Sequence, residues 1–80
     1  MNAGTFLNEL VQKLVSNPAA VEIEEEEDGN TRTFHISVDA EDTGKVIGKN
    51  GKVINAIRQV VAAIASKDNE RAFVKINTPD

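Results

Sequence analysis

The sequence contains no cysteine, no tryptophan and no tyrosine, and a single histidine, His35. Without cysteine there are no disulfides, no thiolate metal ligands and no thiol nucleophile, an absence that fits the cytoplasm. With one histidine, catalytic triads and His-rich metal sites lack their parts. Three phenylalanines are the only aromatic residues. RNA readers that stack bases on a sheet need aromatic side chains there, so a nucleic acid would have to be held in another way. No apolar run approaches the ~18 residues of a membrane span. The longest candidate, Phe6 to Val15, is interrupted by Asn8, Glu9, Gln12 and Lys13, and no basic segment precedes it as in a secretory signal. No membrane partner is expected.

Eighty residues are enough for one domain, residues 1–80, with a tail from about residue 77. A chain of this size has room for one modest core but not for a deep pocket with a catalytic apparatus. The formal net charge is −4, which argues against a nucleic-acid partner until the distribution is considered. Six of the thirteen acids fall between Glu22 and Asp28, whereas residues 43–67 hold Lys45, Lys49, Lys52, Arg58 and Lys67 and no acid. The chain is polarised, with a local basic segment.

Phe6, Leu7, Leu10, Val11 and Leu14 recur at helical spacing and predict a first helix over about 4–16, capped by Asn2 or Thr5 and ended by Ser16-Asn17-Pro18. Val21 and Ile23 alternate with glutamates as in a half-buried strand. Glu26 to Asn30 reads as a turn, because Asp-Gly and Gly-Asn pairs tolerate positive φ. Phe34, Ile36 and Val38 then alternate with polar residues in a second strand, so each strand presents one buried and one wet face. A short helix to about Ile47 follows, with Asp42 or Thr43 as N-cap. After Gly48–Gly51, the stripe Val53, Ile54, Ile57, Val60, Val61 and Ile64 predicts a long helix over about 51–66. Lys67 suits its C-terminal dipole end, Asp68-Asn69 makes a turn, and Ala72, Val74 and Ile76 form the last strand. The order is α-β-β-α-α-β. A right-handed crossover makes the last strand parallel to the second, giving an α+β fold: a three-stranded mixed sheet with three helices on one face.

The stretch Val46-Ile47-Gly48-Lys49-Asn50-Gly51-Lys52-Val53-Ile54 is the most informative. Two glycines permit positive φ and remove the Cβ atoms that would hold a ligand away. The loop feeds the N-terminus of the long helix, where unpaired N–H groups and the helix dipole favour an anion. Lys49 and Lys52 add charge at the same place, so a sugar-phosphate backbone can lie against it. A lone G-x-x-G is also an ordinary tight turn, but V-I-G-x-x-G-x-x-I between a short and a long helix is far more selective.

With this motif and element order the chain resembles the KH domain family, in its type II, bacterial arrangement, over nearly its whole length. Asp42 to Gly51, in a domain that opens with a helix, is similar to the small stand-alone bacterial KhpA-type RNA-binding proteins. The resemblance implies a clamp on about four unpaired nucleotides of single-stranded RNA, in a bacterial post-transcriptional regulator or RNA chaperone. Gly48, Lys49, Asn50 and Gly51 would contact phosphates, Lys45 and Lys52 would add charge, and Val46 or Ile47 would floor the groove or pack in the core. It also implies that the sheet edge and hairpin loop form the opposite wall, where the Glu22–Asp28 acids would repel phosphate or face a protein. Self-association or pairing with a larger KH-containing bacterial protein is the implied partnership; no small-molecule cofactor is implied.

Competing readings are weaker. Gly44 to Lys49 is one residue short of a P-loop and lacks the following Ser or Thr. His35 is expected to point outward without a partner, and Arg58 to be solvated. The clustered glutamates lack the burial that general acid–base chemistry requires, so no enzyme is expected. A helix-turn-helix DNA binder needs a more polar second helix. A protein-interaction adaptor on the same fold remains the alternative function.

Overall fold

The computed structural model describes residues 2–78. Helix α1 (Ala3–Leu14) leads through a 3-10 turn to strands β1 (Glu22–Asp28) and β2 (Thr31–Ser37). A second 3-10 turn precedes the short helix α2 (Thr43–Ile47). The Lys49–Gly51 turn then joins α2 to α3 (Lys52–Lys67), and β3 (Arg71–Ile76) closes the chain. The sheet order is β1-β2-β3, with β1 antiparallel and β3 parallel to β2. The expected α+β order and the parallel crossover are both present. Pro79 and Asp80, the end of the expected tail, lie outside the described residues.

Strand register divides the sheet into two faces. Ile23, Phe34, Ile36 and Val74 face the helices, and Phe34, Ile36, Leu7, Val11, Val46 and Val61 are the largest fully buried side chains. Each such side chain contributes roughly 1.5–3 kcal/mol by leaving water. On α3 the buried face is Ile54, Ile57, Val61 and Ala65; Val60, which the apolar stripe included, is exposed.

Asn2 caps α1 by accepting the Thr5 N–H at 2.7 Å. The helix ends at Leu14, two residues before the expected boundary. The reason is tertiary: the Asp42 carboxylate accepts the N–H groups of Ser16 at 3.1 Å and Asn17 at 3.0 Å. Asp42 therefore does not use its side chain to cap α2 as expected. Its carboxylate is 2% exposed and joins the end of α1 to the start of α2, with Lys45 beside it at 3.3 Å. Asp39 caps the preceding 3-10 turn by accepting from the Glu41 N–H.

The hairpin also differs from expectation. Glu26 to Asp28 belong to β1 rather than to the turn, because each pairs with a β2 residue. Only Gly29 and Asn30 lie between the strands. Gly29 takes φ 62° while Asn30 stays at negative φ, the pattern of a two-residue turn with glycine first. The expected alternation holds at Val21 and Ile23, which are partly buried against the core between exposed glutamates; beyond Ile23, β1 is exposed on both faces. The acids are partly neutralised within the fold. Arg32 contacts Glu25 at 2.6 Å, Glu70 at 2.9 Å and Glu27 at 3.5 Å. His35 does point away from the helices but is not unpartnered, since its Nε2 lies 2.6 Å from Glu26.

Candidate nucleic-acid interface

The Gly48–Gly51 loop is shaped by backbone conformations that few residues adopt. Gly48 sits at φ 77°, ψ 171°, an extended positive-φ region open essentially only to glycine. Its N–H donates to the Gly44 carbonyl at 2.8 Å and ends α2. A Cβ on Gly48 would collide with the Val53 side chain and come within 2.8 Å of the Val53 backbone nitrogen. Asn50 (φ 57°) and Gly51 (φ 75°) are both left-handed, a conformation asparagine tolerates better than most side chains. A Cβ on Gly51 would meet nothing closer than 3.6 Å. Gly48 is thus required by close approach and conformation together, Gly51 by conformation alone.

This path turns the loop outward. Lys49, Asn50 and Lys52 are exposed, and none takes part in a side-chain hydrogen bond or salt bridge among the described residues. Gly51 is the N-cap of α3 and offers no side chain to its first turn. The Gly51 N–H donates to the Gly48 carbonyl at 3.2 Å and the Lys52 N–H to the Lys49 carbonyl, and the positive end of the helix dipole adds to the two lysines.

The other residues expected in the site are distributed differently. Val46 is 0% exposed and belongs to the core, so it offers no surface to a ligand. Ile47 is partly buried against the same core. Lys45 is held by Asp42 and the Ser16 hydroxyl, on the α1 side of α2. The Asp42 carboxyl is kept below the ordinary aspartate range, first by the Ser16 N–H and then by the Asn17 N–H and Lys45.

A cleft that the sequence did not reveal opens further along α3 from the loop. It lies between α3, at Arg58, Gln59 and Ala62, and β3, at Ala72, Val74 and Lys75, and its lining is mostly apolar. Arg58 is not simply solvated: it donates from Nε to the Val74 carbonyl at 3.1 Å and from Nη1 to Asn55 at 3.0 Å. The signal was present as a helical stripe, since Gly51, Asn55, Arg58 and Ala62 stand three or four residues apart. The N–H groups of Arg71 and Asn77 bond back to the Asn30 and Ile36 carbonyls. By strand alternation, the backbone polar groups of Ala72, Val74 and Ile76 face the free edge beside the cleft.

The acidic hairpin is not the opposite wall of this cleft. β1 lies at the other edge of the sheet, one strand removed from β3. The hairpin turn meets Asn69 and Arg71 at the C-terminal end of α3. That helix has 16 residues, so the turn and the loop are separated by roughly 24 Å of helix, about three Debye lengths at physiological salt. At that distance the loop is screened from the acids near the turn.

Comparison with known proteins covers the same span. The family model "KhpA/KhpB, KH domain" matches residues 4–76. The chain is 40% identical over 73 residues to the RNA-binding protein KhpA of Caldanaerobacter subterraneus subsp. tengcongensis, covering 91% of this chain and 97% of that protein. It is 38% identical over 71 residues to the RNA-binding protein KhpA of Chlamydia trachomatis, covering 89% and 91%. To the RNA-binding protein KhpA of Listeria monocytogenes it is 40% identical over 67 residues, covering 84% and 88%. The family match runs from the first turn of α1 to the last residue of β3, taking in the whole fold as well as the loop, and the chain belongs to the KhpA/KhpB KH-domain family.

Proposed function

We propose that this chain binds single-stranded RNA, with the sugar-phosphate backbone against Gly48–Gly51 and the bases in the cleft between α3 and β3. Its role would be that of a bacterial post-transcriptional regulator or RNA chaperone. The observation that carries the reading is the loop itself. Exposed, unpaired Lys49 and Asn50 stand on a backbone stripped of Cβ atoms at both ends, at the N-terminus of a four-turn helix. The relatives, RNA-binding proteins by name, point the same way. The apolar lining of the cleft and the edge-facing backbone groups of β3, of which the Val74 carbonyl is already taken by Arg58, suit unstacked bases, whose edges need hydrogen-bond partners.

A tetranucleotide clamp makes few contacts, so useful affinity calls for a second module. The surface between α1 and α3, where Leu10, Leu14 and Val53 adjoin exposed Val60, favours a protein partner there: a second copy or another KH protein. The adaptor reading rests on this patch.

The test is RNA binding by the Lys49→Asp/Asn50→Asp variant. Aspartate tolerates the left-handed conformation at position 50, so circular dichroism and the thermal midpoint are expected to stay near wild type. Affinity for short single-stranded RNA is expected to fall by at least about tenfold, because one cation is lost and two anions face phosphate. Unchanged RNA binding would refute the loop as the grip. Recovery of the same proteins by both versions in a pull-down, without RNA, would favour the adaptor.

A further inference from the structure

The outer face of the sheet, which no helix covers, is polarised in charge. Register places Glu22, Glu24, Glu26 and Asp28 on this face of β1 and Arg71, Phe73 and Lys75 on this face of β3. Between them runs a polar lane of Thr31, Thr33, His35 and Ser37 on β2. Phe73 is 45% exposed, and its partner across the strand is the small Thr33, so no neighbouring side chain of β2 covers the ring. The Arg71 guanidinium lies over one face of the ring, 5.4 Å from its centre, which leaves the opposite face for a base. Neither Arg71 nor Lys75 takes part in a salt bridge among the described residues. Phe73 and Lys75 also stand at the lip of the cleft beside Arg58 and Ala62.

From these observations we infer that Phe73, flanked by Arg71 and Lys75, is a second RNA contact: a base-stacking platform on the open sheet face for a nucleotide beyond those in the cleft. The inference rests on the RNA-binding reading above and extends its footprint. An exposed aromatic between two unpaired cations is the combination that single-stranded nucleic acid requires, a π-face for the base and positive charge for its phosphates. The geometry is continuous. Ala62, at the far end of the cleft next to Phe73, is eleven residues along α3 from Gly51, about 17 Å. A strand following the cleft therefore arrives at the β3 edge, and the next base can turn over it. The β1 acids lie two strand spacings away, about 10 Å. That exceeds a Debye length at physiological salt, so they bias the chain towards β3 without opposing it there.

The experiment compares wild type, Phe73→Ala and Lys49→Asp/Asn50→Asp on fluorescein-labelled random-sequence RNAs of four and ten nucleotides. Phe73 is outside the core, and circular dichroism checks that each variant is folded. For Phe73→Ala the expected result is roughly tenfold weaker binding of the ten-nucleotide RNA, the loss of one stacked base, with the four-nucleotide RNA bound as by wild type. Phe73→Trp should restore the loss, and its fluorescence should be quenched by the longer RNA alone. Equal binding of the long RNA by wild type and Phe73→Ala, while the loop variant loses both lengths, would overturn the platform and leave the RNA reading standing. Failure of wild type to bind either RNA would overturn both. A Phe73→Ala variant that changes sedimentation behaviour but not RNA affinity would also overturn it, by assigning the ring to a protein contact.

Discussion

Gly48→Ala is expected to lower the thermal midpoint by at least about 10 °C, whereas Gly51→Ala lowers it by only about 5 °C. Both glycines have positive φ, but they are constrained differently. At Gly51 the conformation is ordinary left-handed helix and the space around a Cβ is open. Alanine there costs about 1 kcal/mol, and Gly51→Asn recovers part of it. At Gly48 the φ/ψ pair is in a region essentially closed to other residues, at about 1–3 kcal/mol. The new methyl would also press on the Val53 backbone, which belongs to the first turn of α3 and cannot yield without moving the helix. Overpacking of that kind adds about 1–3 kcal/mol. Asparagine at position 48 is expected to be no better than alanine. Thermal melts of the four variants check the ranking; equal losses at the two glycines would contradict the steric account.

The second large effect concerns Asp42, a residue outside the loop. Its carboxylate accepts two backbone N–H groups from the α1 corner and faces Lys45. Asparagine has nearly the same shape but only one acceptor oxygen. Asp42→Asn therefore turns an amide group towards the Ser16 or Asn17 N–H and loses the attraction to Lys45. A fall of about 10 °C in the thermal midpoint is expected, since leaving a buried donor unpaired costs more than the bond itself contributes. The pH dependence follows in sign. The folded-state pKa of Asp42 is lowered, so its contribution is fully present above the unfolded value near 3.9. It is lost as pH falls from there through the lower folded value. Between pH 6 and pH 3 wild type should lose more stability than Asp42→Asn, and the two melting curves should converge in acid. Parallel pH profiles would show that Asp42 is not the titrating group.

The features legible in the sequence were the periodic or local ones. The helical stripe from Ile54 to Ile64 marked α3, alternation marked β2 and β3, and two glycines three residues apart marked the loop. The order of elements was then enough to fix the parallel pairing of β3. What escaped was set by contacts between distant residues. Nothing local distinguishes Asp42 from any polar N-cap, because its partners lie 25 and 26 residues away. The run from Glu24 to Asp28 has poor strand propensity, and only pairing with β2 holds it extended. Sequence order also does not say which edge of the sheet lies beside α3, and so the acids were expected to face the loop. Within the loop segment, Val46 and Lys45 were drawn into the site by proximity in sequence, while the fold turns one into the core and the other towards Asp42. Phe73 was one aromatic among three, and its place on the uncovered face of an edge strand depends on the register with β2.

The RNA-binding reading is tested most directly by a two-dimensional amide NMR titration of the isotope-labelled chain with short single-stranded RNA. The predicted result is a contiguous set of shifts at Gly48 to Lys52, Asn55 and Arg58, continuing at Ala72 to Lys75, with the amides of Glu24 to Asn30 unmoved. Shifts centred on the β1 hairpin, or none at the Gly48–Gly51 loop at saturating RNA, would contradict it.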